Sequence, residues 1–264
     1  MKILFTLIKN IVITKSYKII LHKILFKFFD KHGGLSKTKN LEWIQNNLTS
    51  SKIFLKEIST SQYQSSVNVY KFFLKNKSVT LSVEQKKRIG GGGMYILLNF
   101  LVSFFKIKNI IETGVALGVS SHAILKALEN NKIGHLYSSD LPIMRLENPS
   151  KIIGALVDQK LRINWSLYLR GDLENLKIIK SKITKIDLIH YDSGKRYYER
   201  ENVFNYLSKL ISRNTIIIMD DIQDNSFFYD YLLKKKIKNY YIFKYEKKYV
   251  GLILNKNKLI NFNK

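Results

Sequence analysis

The sequence predicts an α/β fold: a doubly wound, mostly parallel sheet preceded by a helical extension. Three observations lead there. Five short runs rich in β-branched residues follow one another between residues 109 and 222, and they lack the period-two alternation of a half-exposed strand, so they read as strands buried on both faces. Stretches with helical spacing separate them, which is the βαβ pattern of a parallel sheet. Two further apolar runs, Tyr240–Tyr245 and Tyr249–Asn255, are joined by only Glu246-Lys247-Lys248. So short a link cannot make a parallel crossover, so this last pair is antiparallel.

Taken in order, Met1–Phe29 is apolar but broken by Lys2, Lys9, Lys15, Lys18, His22, Lys23 and Lys27. No stretch reaches the roughly 18 to 20 apolar residues of a spanning helix, and the apolar run Ile3–Ile8 is too short for a secretory signal. At 100° per residue Lys2, Lys9, Lys23 and Lys27 share one sector, so the segment reads as a partly amphipathic helix ending near Gly33–Gly34. It would pack on the domain or a second copy, or lie on an anionic membrane surface. Trp43, Ile44 and Leu48, then Val69, Phe72 and Phe73, mark further short helices, and Gly90–Gly93 is a loop because four glycines cost a helix about 1 kcal/mol each. Met94–Phe105 reads as a buried helix. The strands follow at Asn109–Val115, His135–Leu141, Trp165–Arg170, Ile186–Asp192 and Thr215–Ile222, with helices at Ser120–Asn131, Leu173–Ile183, Tyr198–Ile211 and Asn225–Leu233.

Composition bounds the chemistry. Of 264 residues 45% are hydrophobic and 25% charged, which suits one large globular domain or a domain with an extension. The absence of cysteine excludes disulfides, thiolate-held zinc and iron–sulfur centres, and a thiol nucleophile. Lys+Arg exceed Asp+Glu by 45 to 20, a net charge of +25 that raises the question of a polyanionic partner. Only seven of the 45 are Arg, however, and the lysines are spread along the chain beside abundant Ile, Asn, Tyr and Phe. That is the pattern of AT-rich codons, whereas a nucleic-acid groove would concentrate Arg on one element.

Ligands of open parallel sheets bind at the carboxyl ends of the strands. The first strand runs into Glu112-Thr-Gly114-Val-Ala-Leu-Gly118-Val-Ser120-Ser121. Gly114 permits a sharp turn, Gly118 a close backbone approach, and Ser120 or Ser121 can cap the next helix. Asp140 ends the second strand, placed to accept hydrogen bonds from two ribose hydroxyls. Asp172, Asp192 and the pair Asp220-Asp221 end the other three strands. Carboxylates gathered at one edge repel each other unless a ligand or cation compensates. Asp192, Asp220 and Asp221 could together hold Mg²⁺ or Ca²⁺; otherwise one of the pair caps the following helix.

The run Glu112–Ser121 with Asp140, then Asp187-Leu-Ile-His-Tyr-Asp-Ser193, then Ile218-Met-Asp-Asp-Ile-Gln-Asp-Asn225, resembles the class I S-adenosylmethionine-dependent methyltransferases, in particular bacterial small-molecule members distantly similar to catechol O-methyltransferase. The likeness spans about residues 86–255. It implies a Rossmann-like seven-stranded sheet with a reversed final strand over 89–264, preceded by a helical extension over 1–88. It also implies that Glu112, Gly114 and Gly118 surround the methionine half of S-adenosylmethionine, with Ser120 in the same turn, Asp140 at the ribose, Asp172 at the adenine side and Asp192 facing the reaction centre. Many relatives carry a His where this chain has Lys195 in Asp192-Ser193-Gly194-Lys195. Lys195 could replace that base only if burial lowered its pKa. His190 shares the face of Asp192 one pleat repeat deeper and reads as a core histidine with its hydrogen bonds satisfied.

The expected reaction is methylation of a hydroxyl on a small molecule or saccharide in the cytoplasm, with peripheral contact to the inner membrane face through residues 1–31 and a homo-oligomer both left open. A nicotinamide dehydrogenase would need a tight Gly-x-Gly-x-x-Gly and no antiparallel ending. Amino-group methyltransferases of nucleic acids need an Asp/Asn-Pro-Pro loop, yet the only prolines are Pro142 and Pro149, and cytosine-5 forms need the missing cysteine. RNA ribose methylation, or a non-catalytic membrane- or partner-binding role on the same fold, are the alternatives.

Overall fold

The computed structural model describes residues 2–14, 17, 19–21, 30–76, 93–144 and 146–255. Helix α1 (Lys2–Thr14) is followed by α2 (Lys37–Asn46), α3 (Ser51–Ile58), α4 (Thr60–Asn76) and α5 (Tyr95–Phe104). The sheet region then alternates: β1 (Asn109–Thr113), α6 (Val119–Asn131), β2 (His135–Ser139), the single turn α7 (Pro149–Ile152), β3 (Trp165–Tyr168), α8 (Asp172–Lys180), β4 (Leu188–Tyr191), α9 (Tyr197–Leu207), β5 (Ile216–Met219), α10 (Phe227–Lys234), β6 (Tyr240–Tyr245) and β7 (Lys248–Ile253). The strands form one sheet in the order β3-β2-β1-β4-β5-β7-β6. Strands β1 to β5 pair in parallel, and β7 runs antiparallel to both β5 and β6.

Both sheet faces are buried, which is why the strand runs are continuously apolar. Ile110, Leu188, Ile216 and Phe243 point into one core, with Leu97, Leu101, Ile124 and Leu128 of α5 and α6. Their neighbours Ile111, Ile189, Ile217 and Ile242 point into the other, with Leu176, Phe204 and Phe228 of α8 to α10. The helices before the sheet enter the same two cores: Phe54, Leu55 and Phe73 join the first and Ile44 the second. The expected boundary at residue 88 and the glycines Gly90–Gly92 lie outside the described residues; Gly93 is non-helical and leads into α5.

Several element ends differ from the expectation. The third strand stops at Tyr168 rather than Arg170, because the Arg170 N–H turns to the Asn175 Oδ1 of α8 at 2.9 Å. The final hairpin is tighter than expected: Tyr245 pairs with Lys248, leaving Glu246-Lys247 as the turn, with Glu246 at φ 53°. Helix α6 starts at Gly118 with no side-chain cap, so neither Ser120 nor Ser121 serves as one. Neither of Asp220 and Asp221 caps α10, whose first N–H, from Phe227, goes to Asn225 Oδ1 at 3.1 Å. Among the described residues no helix is long and apolar enough to cross a membrane. Helix α1 leaves Leu4, Phe5, Ile8, Val12 and Ile13 exposed, and its Asn10 donates to the carbonyls of Met144 and Leu146, each at 2.8 Å. Lys23 and Lys27 lie outside the described residues, so the expected lysine sector is seen only at its start.

Candidate active site

A cavity of about 580 Å³ opens at the carboxyl ends of the parallel strands, a volume suited to a small ligand. Its floor is the turn after β1. Gly114 sits at φ 83°, and a Cβ there would fall 2.2 Å from the carbonyl oxygen of Asp192, so only glycine lets β1 and β4 end side by side. Val115 and Ala116 follow, then Ser120 on α6. Gly118, at φ 88°, is used differently: its Cα faces Gly154 Cα and Val157 rather than the cavity.

The wall is acidic. Asp140 Oδ2 accepts from the N–H of Val115 and of Ala116, both at 2.8 Å, and its Oδ1 from Leu141 N–H at 2.6 Å. Three of the carboxylate's four acceptor positions are thus taken, and Oδ1 keeps one. Burial pushes this carboxyl above its ordinary pKa against the pull of those three amides. Asp172, the first residue of α8, accepts from Ser139 Oγ at 2.7 Å and Ser193 Oγ at 2.6 Å. Asp192, Ser193, Gly194 and Lys195 line the other end. Tyr198 and Asn202 also line the cavity; they and Ser139 carried no distinguishing signal in the sequence, and Ser193 was read only as part of the Asp192–Lys195 stretch.

Glu112 does not join them. It is fully buried beneath the sheet edge, with Oε2 accepting from Ser121 Oγ at 2.6 Å and Ser138 Oγ at 2.7 Å. Its other oxygen lies 3.6 Å from His190 Nδ1. His190 Nε2 in turn lies 3.9 Å from Asp220 Oδ1. The expectation of a satisfied core histidine fails in detail: His190 is wholly buried, but among the described residues neither ring nitrogen has a hydrogen bond. Burial alone would lower its pKa, and the Asp220 and Glu112 carboxylates outweigh that and raise it to about 10.

The three acids expected to hold a metal are not gathered around an open position. Lys248 Nζ is paired with Asp220 Oδ2 and lies 3.8 Å from Asp192 Oδ2. Asp221, at φ 53°, has its carboxylate turned to Lys195 Nζ on one oxygen and to Gln223 Nε2 at 3.0 Å on the other. His190, Asp192 and Asp220 do offer donor atoms within 4.8 Å of one another. The Lys248 ammonium already lies against both carboxylates of that trio, so it does not suit a dication. Burial, and then Asp220 beside it, push the Asp192 carboxyl up to about 7 against Lys248, His190 and Lys195. Lys195 is 55% exposed and is paired with Asp221.

Residues 111–222 match a methyltransferase domain family. No curated protein matches the chain. Among solved structures it is similar to an O-methyltransferase from Bacillus cereus in complex with SAH, at 17% identity over 74% of this chain and 91% of that one, with a TM-score of 0.50. It is also similar to a provisionally assigned O-methyltransferase from Klebsiella pneumoniae, at 14% identity over 73% and 98%, with a TM-score of 0.51. These two likenesses show a shared fold. The matched segment, residues 111–222, runs through the strand ends that line the cavity, and its likeness is to a methyltransferase domain.

Proposed function

We propose that this protein binds S-adenosylmethionine in the cavity at the end of β1 and methylates a hydroxyl of a small molecule or saccharide. The observation that carries the reading is the cavity itself: a Gly114 turn, two strand-end carboxylates at Asp140 and Asp172, and Asp192 at its far side. Asp140 would take the ribose hydroxyls, Asp172 the adenine side, and the Gly114–Ala116 turn with Ser120 the methionine end. The SAH in the similar Bacillus cereus protein supports this choice of cofactor.

When bound, S-adenosylmethionine supplies a methyl group on a sulfonium, a leaving group that needs no further activation. The chain's own residues then have a small task. They hold the acceptor oxygen in line, which is worth about 7 to 11 kcal/mol in favourable cases. The Asp192 carboxylate, at the cavity wall, is the group placed to receive the hydroxyl proton, an effect of about 10²- to 10⁴-fold. Methyl transfer to RNA is the lesser reading, because the cavity wall is acidic.

Calorimetry tests the assignment. S-adenosylmethionine is expected to bind and NAD not to, and Asp140→Ala is expected to weaken binding by about 10- to 100-fold, the worth of hydrogen bonds to a charged group. A wild-type protein that fails to bind S-adenosylmethionine, or binds NAD in its place, overturns the proposal.

A further inference from the structure

Three carboxylates, an imidazole and an ammonium form a continuous buried chain through the sheet edge: Glu112, His190, Asp220, Lys248 and Asp192. Consecutive members are 3.6 to 3.9 Å apart, apart from the closer Asp220–Lys248 pair. All five are four-fifths or more buried in their side chains. Lys248 is delivered by the one antiparallel neighbour of β5. Because β7 runs against the parallel strands, its first residue arrives at the edge where they end. The ammonium lies 5.9 Å from the ring centre of Tyr245 on β6.

We infer that the Lys248 ammonium occupies the place of a divalent cation, clamping Asp192 to Asp220 and making the site independent of divalent metal. The geometry agrees: Lys248 Nζ sits between the two carboxylates, paired with Asp220 and 3.8 Å from Asp192, and Asp192 lines the cavity. A dication shared by Asp192 and Asp220 would meet that ammonium. Lys248 is on this account a positioning residue, fixing the carboxylate that faces the acceptor. The inference rests on the methyltransferase reading for its purpose, but its test does not use the cofactor.

Mn²⁺ binding is followed by electron paramagnetic resonance on the full chain, with each protein compared with its own Asp220→Asn counterpart so that only Asp220-dependent binding is scored. Wild type is expected to show no Asp220-dependent site, and Lys248→Met, which keeps the stem and removes the charge, to gain one. Lys248→Arg is expected to stay silent. An Asp220-dependent site in wild type overturns the inference, and so does a folded Lys248→Met protein that gains none. Circular dichroism establishes folding, and Asp192→Asn replaces the reference should Asp220→Asn not fold. A failure to bind S-adenosylmethionine in calorimetry would defeat the functional reading and leave this result standing.

Discussion

Tyr95 and His122 show what single buried side chains add. The Tyr95 hydroxyl is 2.8 Å from His122 Nδ1, and the other ring nitrogen is 3.4 Å from Asp158 Oδ2. Burial, the larger effect, holds the imidazole below its ordinary pKa, with Asp158 pulling the other way. A neutral buried histidine contributes stability above its unfolded pKa of about 6.5. As pH falls below that value the unfolded chain takes up a proton that the folded one resists, so stability is lost toward the folded pKa. The denaturant midpoint should therefore fall as pH drops from about 6.5 to 5, and His122→Gln should flatten that limb. His190 acts in the opposite sense. Its pKa is raised to about 10, so its contribution is complete below the unfolded value and is lost as pH rises through about 10. Neither histidine's environment was legible beforehand, since His122 belongs to no motif and His190 was read as satisfied. Asp140, Asp172 and Asp192, by contrast, were found by position alone, because the end of each parallel strand is where the sheet exposes backbone and side chain to a ligand.

At the level of elements, α9 is locked to the end of β5 by Arg200. This side chain is 1% exposed and donates to the carbonyls of Asp220 and Asp221 at 3.2 and 2.8 Å. Arg200→Met should strip the Asp220 carbonyl of this partner and leave the Asp221 carbonyl with only the Asp224 N–H at 3.1 Å, a cost of about 1 to 3 kcal/mol read in urea unfolding. Because those carbonyls set the backbone beneath the Lys248 pair, the loss should also loosen the clamp. The strands were legible because burial on both faces leaves no alternation to misread. Their ends were not, because a side chain such as Asn175 took over the backbone hydrogen bond. Lys248 is the instructive omission. Among 38 lysines it carries no signal of its own. The reversed last strand was nevertheless recognised from its three-residue link, and reversal alone places that strand's first residues at the ligand edge.

For the whole molecule, the net charge of +25 is not a feature of the site. The edge where the strands end gathers Asp140, Asp172, Asp192, Asp220 and Asp221, so the excess of lysine lies elsewhere on the surface. The helices before the sheet pack into both of its cores. Asn40 of α2 is 1% exposed and donates to the carbonyls of Ile222 and Asn225 at 3.0 and 3.1 Å, while Phe54, Leu55 and Phe73 fill the first core. Removal of residues 1–88 should therefore abolish the cooperative unfolding transition seen by near-ultraviolet circular dichroism. A truncated chain that unfolds with the wild-type midpoint would show an independent extension. The segment between α2 and α3 also meets β6, where Thr49 N–H donates to the Ile242 carbonyl at 2.8 Å. Contacts of such sequence separation slow folding, because a long loop must close before they form. On the ribosome, the early helices and the five parallel strands are complete before the hairpin emerges. Until Lys248 arrives, Asp192 and Asp220 face each other without the ammonium, so the nascent chain should stay open and protease-sensitive at this edge and close there late.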